Sequence, residues 1–80
     1  MGRQAMRYTR LAKGPDFIIY KVTYNEGTME VRMDLKARQF EVTRVIGERP
    51  GLRRDELRIL DPFQKSLDRN IELPEEFIRN

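Results

Sequence analysis

The sequence predicts an α+β domain, in which an antiparallel β-meander of three to four strands is covered on one face by one or two short C-terminal helices. Three observations predict it. Residues 28–35 alternate without exception, with Met29, Val31, Met33 and Leu35 on one side and Thr28, Glu30, Arg32 and Asp34 on the other, the period of a half-buried strand. Residues 17–24, Phe-Ile-Ile-Tyr-Lys-Val-Thr-Tyr, are rich in β-branched and aromatic types and run into a turn at Asn25-Glu26-Gly27, the pattern of a hairpin. Farther on, Asp61-Pro62 with Gln64 combines an N-cap, a proline at the first helical position and a capping-box residue.

Residues 1–15 read as a basic N-terminal arm, set off by a turn at Lys13-Gly14-Pro15-Asp16, and residues 16–80 as one small domain. Keeping apolar faces together sets Tyr24 opposite Met29, Val22 opposite Val31, Tyr20 opposite Met33 and Ile18 opposite Leu35, because a one-residue slip would place valine over glutamate. Residues 39–46 supply a third strand, with Phe40, Val42 and Ile46 facing inward, Leu35 opposite Phe40 and Met33 opposite Val42. This register also places Lys21 opposite Arg32 and Asp34 opposite Glu41 on the polar face. Residues 47–51, Gly-Glu-Arg-Pro-Gly, end the sheet.

Residues 52–60 suit either a short helix or a fourth strand. Leu-Arg-Ile-Leu-Asp-Pro at 57–62, preceded by Arg54-Asp55, resembles a segment in the soluble N-terminal domain of eukaryotic relatives of the CorA magnesium channel. The likeness covers about nine residues, does not extend to the channel's Gly-Met-Asn signature or a membrane helix, and implies only a strand at 57–60. A short helix then runs from Asp61 to about Arg69, with Phe63 and Leu67 covering the sheet. The tail reads as an extended stretch followed by one acidic helical turn at Glu75-Glu76.

Composition excludes much chemistry. The eighty residues contain no Cys, His or Trp, which removes Cys/His zinc sites, thiol nucleophiles, disulfide frameworks and Ser-His-Asp triads. The glycines at 2, 14, 27, 47 and 51 fit no phosphate-loop spacing. Adjacent acids, Asp55-Glu56 and Glu75-Glu76, point apart on either helix or strand. A magnesium site from Asp34, Glu41 and Asp61 would need the fold to gather them. The expectation is therefore a non-enzymatic protein with no cofactor, no metal and no small-molecule substrate. With no stretch of about 20 apolar residues and no apolar leader, no membrane association is expected and the expected location is cytoplasmic.

Charge is distributed unevenly. Residues 1–15 hold Arg3, Arg7, Arg10 and Lys13 and no acid, a charge of +4; of sixteen basic residues twelve remain in 16–80 against thirteen acids, a balance of −1. Two functional readings follow. One is a protein-binding module, an assembly or regulatory factor that contacts another protein or its own copy, since below about 70–80 residues a single core rarely leaves more than ~3–5 kcal/mol of net stability. Its interface residues would be Met29, Met33, Phe77 and Ile78. The alternative is a nucleic-acid-binding domain in which the arm's four cations, with Lys21, Arg32, Arg53, Arg54 and Arg58, contact phosphates. On that reading an anion would lie between Lys21 and Arg32.

Overall fold

The computed structural model describes residues 5–51 and 53–79. Its elements are β1 (Met6–Lys13), β2 (Phe17–Tyr24), β3 (Gly27–Asp34), β4 (Gln39–Gly47), α1 (Arg53–Arg69) and β5 (Glu76–Arg79). The α+β class and the meander stand, with five antiparallel strands in the order β4-β3-β2-β1-β5 and one helix in place of three to four strands and one or two helices. Leu52 and Asn80, the outer residues of two predicted segments, lie outside the described residues.

The segment read as a separate arm is, over Met6–Lys13, a strand paired along β2. Met6 and Tyr8 are buried while Arg7 between them is exposed, so β1 carries the alternation of a half-buried strand. It belongs to the same sheet as the body. A bulge between Arg10 and Ala12 displaces Leu11 from the ladder.

The predicted faces of β2 and β3 are correct and their register is off by two. Val22 lies opposite Met29, Tyr20 opposite Val31 and Ile18 opposite Met33, with Tyr24 opposite Gly27. A shift of two leaves every side chain on its face, so the hydrophobic pattern cannot choose between the two registers. The loop chooses. It consists of Asn25 and Glu26, and Gly27 is the first residue of β3, where a Cβ would stand 2.3 Å from the Ile46 carbonyl oxygen. Close approach of β4, rather than a positive φ, is what requires glycine here.

The same shift runs through the next hairpin, where Phe40 pairs with Met33 and Val42 with Val31. Leu35 falls in the turn and is 37% exposed. Asp34 Oδ1 accepts from the Lys36 and Ala37 amides at 3.1 and 2.9 Å, an Asx-turn. A bulge then sets Arg44 opposite Glu30 and Val45 opposite Met29, which brings Val45 inward and turns Ile46 outward, the reverse of the predicted parity.

Residues 53–60 are helical, against the strand that the CorA likeness implies, and Asp61-Pro62 lies inside α1 rather than at its start. Proline lacks the N–H that would bond the carbonyl four residues back. That carbonyl, of Arg58, accepts Arg79 Nη1 at 2.9 Å, and the next, of Ile59, accepts the Tyr8 hydroxyl at 2.5 Å. Arg79 of β5 thus supplies the donor that Pro62 cannot, and Tyr8 of β1 adds a donor to the neighbouring carbonyl. The helix ends on Asn70 at φ 55°, with the Ile71 amide donating to the Ser66 carbonyl at 3.0 Å, a Schellman closure.

α1 lays Ile59, Leu60, Phe63 and Leu67 on the apolar sheet face and buries them with Met6, Tyr8, Ile18, Tyr20, Val22, Tyr24, Met29, Val31 and Met33. Phe63 sits centrally, its ring 5.8 Å from Tyr8, 5.6 Å from Tyr20 and 6.0 Å from Phe40. The apolar face is closed within one chain.

Candidate interaction surfaces

The arm's cations have diverged in role. Arg3 lies outside the described residues. Arg7 is exposed on the polar sheet face opposite Thr23 and Ile78. Arg10 points inward, 13% exposed, because it takes the position opposite Tyr20 on the buried parity. Its Nη2 donates to the Leu73 carbonyl at 2.8 Å, its guanidinium lies 5.9 Å from the Tyr20 ring centroid, and Glu72 and Glu75 stand at 3.6 and 3.9 Å. Its buried Nε has no acceptor. Lys13 Nζ donates to Glu72 at 2.6 Å.

This cluster sets its own ionisation. The hydrogen bond from Lys13, with the attraction of Lys13 and Arg10, holds the Glu72 carboxyl below its ordinary value. Burial pushes the Tyr20 phenol up despite Arg10 beside it. The Tyr20 hydroxyl donates to the Leu73 and Pro74 carbonyls at 3.0 and 2.7 Å. Arg10, Lys13 and Tyr20 therefore fasten residues 72–75 to the end of the sheet, and two of the arm's charges are neutralised inside the molecule.

The outer sheet face carries no like-charge pair between Lys21 and Arg32. Lys21 stands opposite Glu30 and Arg32 opposite Ile19 and Glu41, while Asp34 faces Phe17 and Gln39. The two-residue shift in register converts the predicted repulsions into alternating signs. Arg44 lies 3.7 Å from Glu30, and the Arg32 guanidinium sits 4.6 Å from the Phe17 ring centroid. Among the described residues this face holds Arg7, Lys21, Arg32 and Arg44 against Glu30, Asp34, Glu41 and Glu76, a balance of zero.

On α1, Arg53, Arg54 and Arg58 are exposed, and nearby Arg49 Nε is 3.3 Å from Glu56. The acids read as adjacent pairs separate, as their spacing requires: Asp55 is exposed while Glu56 pairs with Arg49, and Glu75 faces Arg10 while Glu76 lies opposite Thr9. Asp34 closes a turn, Glu41 pairs across to Arg32, and Asp61 holds Lys65 at 2.9 Å on the helix. Among the described residues no group of three or more acids is arranged to hold a metal ion.

The predicted interface residues divide. Met29 and Met33 are 0% and 1% exposed, sealed under α1, and offer no contact surface. Phe77 is half-buried and stacked on Tyr8 at 4.4 Å with the rings 4° apart, while Ile78 is 60% exposed. Phe77 also lines an open groove of about 270 Å³ between α1 and β5. Pro62, Ile71, Leu73 and Phe77 form its apolar part, and Lys65, Arg69, Arg79 and Asp61 its charged part. Sequence reasoning missed the three cations. Lys65 and Arg69 follow Asp61 at successive four-residue steps, a one-face signal that becomes readable once the helix is allowed to pass through Pro62.

No family model, no curated protein and no solved structure matches the chain.

Proposed function

We propose that this protein is a small non-enzymatic protein-binding module, an assembly or regulatory factor that presents the groove between α1 and β5 to a partner protein. The observation that carries this reading is the groove itself, lined by Pro62, Ile71, Leu73 and Phe77 together with three cations. An apolar concavity with a few placed charges is the usual form of a binding site. Self-association through the apolar sheet face loses its motive, because α1 occupies that face.

The test is a photo-crosslinking residue placed at Lys65 on the groove, or at Lys21 on the outer sheet face, in the full chain expressed in its native cells. The expected result is discrete protein adducts from position 65, insensitive to nuclease, and none from position 21. Adducts of nucleic acid, or equal yields from both positions, would overturn the reading.

A second reading, nucleic-acid binding, is favoured by the exposed Arg53, Arg54 and Arg58 at the start of α1. It requires saturable binding to a labelled duplex, with a log-log salt slope of roughly −0.9 per phosphate contact that shrinks when these arginines are replaced by glutamine. Absence of saturable binding at low salt would remove it.

A further inference from the structure

Alternate residues of a strand turn their backbone groups to opposite sides. The Arg10 amide donates to the Glu75 carbonyl at 2.7 Å, and in this register Tyr8 with Phe77 and Met6 with Arg79 share the parity of Arg10 with Glu75. Those pairs exchange the bonds to β1. Glu76 and Ile78 consequently direct N–H and C=O away from β1, and β5 is the last strand of the sheet. The same geometry turns the side chains of Phe77 and Arg79 toward the groove. An open ladder edge and an apolar groove therefore lie side by side.

The groove's charge selects the occupant. Asp61 is engaged by Lys65 at 2.9 Å, so Arg69 and Arg79 are in excess. Arg79 is oriented through Nη1 by the Arg58 carbonyl that Pro62 leaves without its helical donor, and a guanidinium with five donors retains others for a carboxylate. Resting on the protein-binding reading above, we infer that the groove takes an extended acidic peptide of another protein by strand addition to β5. The peptide would run antiparallel, with an Asp or Glu opposite Arg79 and, two residues later, an apolar side chain opposite Phe77. Backbone bonds to Glu76 and Ile78 give affinity and the two side chains give selectivity.

A second copy of this chain is the competing occupant. Pairing β5 with another β5 so that the faces match sets either Phe77 on Phe77 with Glu76 on Ile78, or Ile78 on Ile78 with Phe77 on Arg79. The first arrangement sets Arg79 opposite the other copy's Glu75, at the cost of placing the Glu76 charge on Ile78 twice, and light scattering decides between this occupant and the peptide.

Fluorescence anisotropy tests the inference with the full chain and a labelled nine-residue threonine-rich peptide carrying Glu and, two positions later, Leu. Saturable binding is expected, weakened roughly tenfold when Lys replaces the peptide's Glu and by a similar factor in Arg69→Glu. Ile78→Pro should abolish binding, since it removes an amide directed to the open edge and none that bonds β1. Ile78→Thr should bind like the wild type, with circular dichroism confirming that both variants fold. Failure of the Glu-Leu peptide to bind, equal binding of the Lys peptide, or unchanged binding to a folded Ile78→Pro would overturn strand addition. So would a dimer in light scattering that Ile78→Pro dissolves. If the peptide fails while protein adducts still form from position 65, strand addition falls and the binding-module reading stands; loss of both removes both.

Discussion

Replacing Arg10 by alanine should cost about 1–3 kcal/mol of stability, whereas the same change at Arg7, three residues earlier in the same strand, should cost less than about 0.5 kcal/mol. The magnitude for Arg10 is assembled from its contacts. The charged bond to the Leu73 carbonyl at 2.8 Å contributes about 1.5–3 kcal/mol. Its position 5.9 Å from the Tyr20 ring centroid adds about 0.5–1 kcal/mol. Glu72 and Glu75, at 3.6 and 3.9 Å, are 56% and 85% exposed and add little. Against these stands the buried Nε without an acceptor, a penalty of about 1 kcal/mol that alanine relieves. The Leu73 carbonyl is not orphaned, because the Tyr20 hydroxyl still donates to it at 3.0 Å. An eighty-residue domain holds about 4–12 kcal/mol in total, so the loss should lower Tm by roughly 5–20 °C. Urea denaturation followed by far-ultraviolet circular dichroism measures both variants, in dilute and in molar sodium chloride. The gap between them should survive high salt, since its largest part is a hydrogen bond to a carbonyl and not a screened surface pair. Equal losses at Arg7 and Arg10, or none at either, would refute the assignment of Met6–Lys13 to the sheet and restore a peripheral arm.

Tyr8→Phe removes the hydroxyl that donates to the Ile59 carbonyl beside Pro62 and should cost about 0.5–1.5 kcal/mol by the same urea assay, the net worth of one hydrogen bond. Gly47→Ala should cost about 1–3 kcal/mol, because Gly47 holds φ 87° and a Cβ there would stand 2.7 Å from the Glu26 carbonyl oxygen. Burial is the leading cause that raises the phenols of Tyr8, Tyr20 and Tyr24 above 10.0. Folded values above the unfolded one favour the neutral form in the fold. Their stabilisation is complete below pH 10.0 and is lost as pH rises from there through the folded values, by up to about 1.4 kcal/mol per pH unit for each tyrosine. Denaturant midpoints measured across the alkaline range should fall accordingly, and less steeply in Tyr8→Phe.

Much of the core was legible because face assignment in a sheet depends only on parity. Ile18, Tyr20, Val22, Met29, Val31 and Met33 are buried as their alternation requires. Register was not legible, since a shift of two preserves every face and the short loop at Asn25-Glu26 decides it. β4 shows the limit of parity itself: the bulge opposite Glu30 and Val31 exchanges Val45 with Ile46, and nothing in the local sequence marks it. β1 carried the right signal in Met6 and Tyr8, but Arg10 on the buried parity looked like a solvated charge. Its acceptors lie in residues 72–75, more than sixty positions away. Pro62 misled for a similar reason. Proline is a helix start when judged locally, and it is tolerated inside α1 because the Arg58 carbonyl finds Arg79, 21 positions on. The groove followed the same fate, since its walls are the helix beyond that proline and a strand of four residues.

The position of β1 explains why the charge of residues 1–15 is a poor guide to where the protein presents free positive charge. β1 is flanked by β2 and β5, and its inward side chains reach beyond the sheet to the helix at Ile59 and to the tail at Glu72 and Leu73. A strand that must hold the tail in place needs donors for the tail's carbonyls and counter-charges for its acids. Arg10 and Lys13 supply them. Arg10 and Lys13 near the start of the sequence and Glu72 and Glu75 near its end are therefore two halves of one intramolecular contact, which engages their charges while Lys13, Glu72 and Glu75 keep exposed side chains. What remains exposed beside that contact is its other side: the short strand β5, fixed along β1, and the helix wall facing it. Cations survive there because Lys65, Arg69 and Arg79 meet only Asp61 within the groove. The positive charge of the groove is thus left over because the tail's acids Glu72 and Glu75 are already engaged by Arg10 and Lys13.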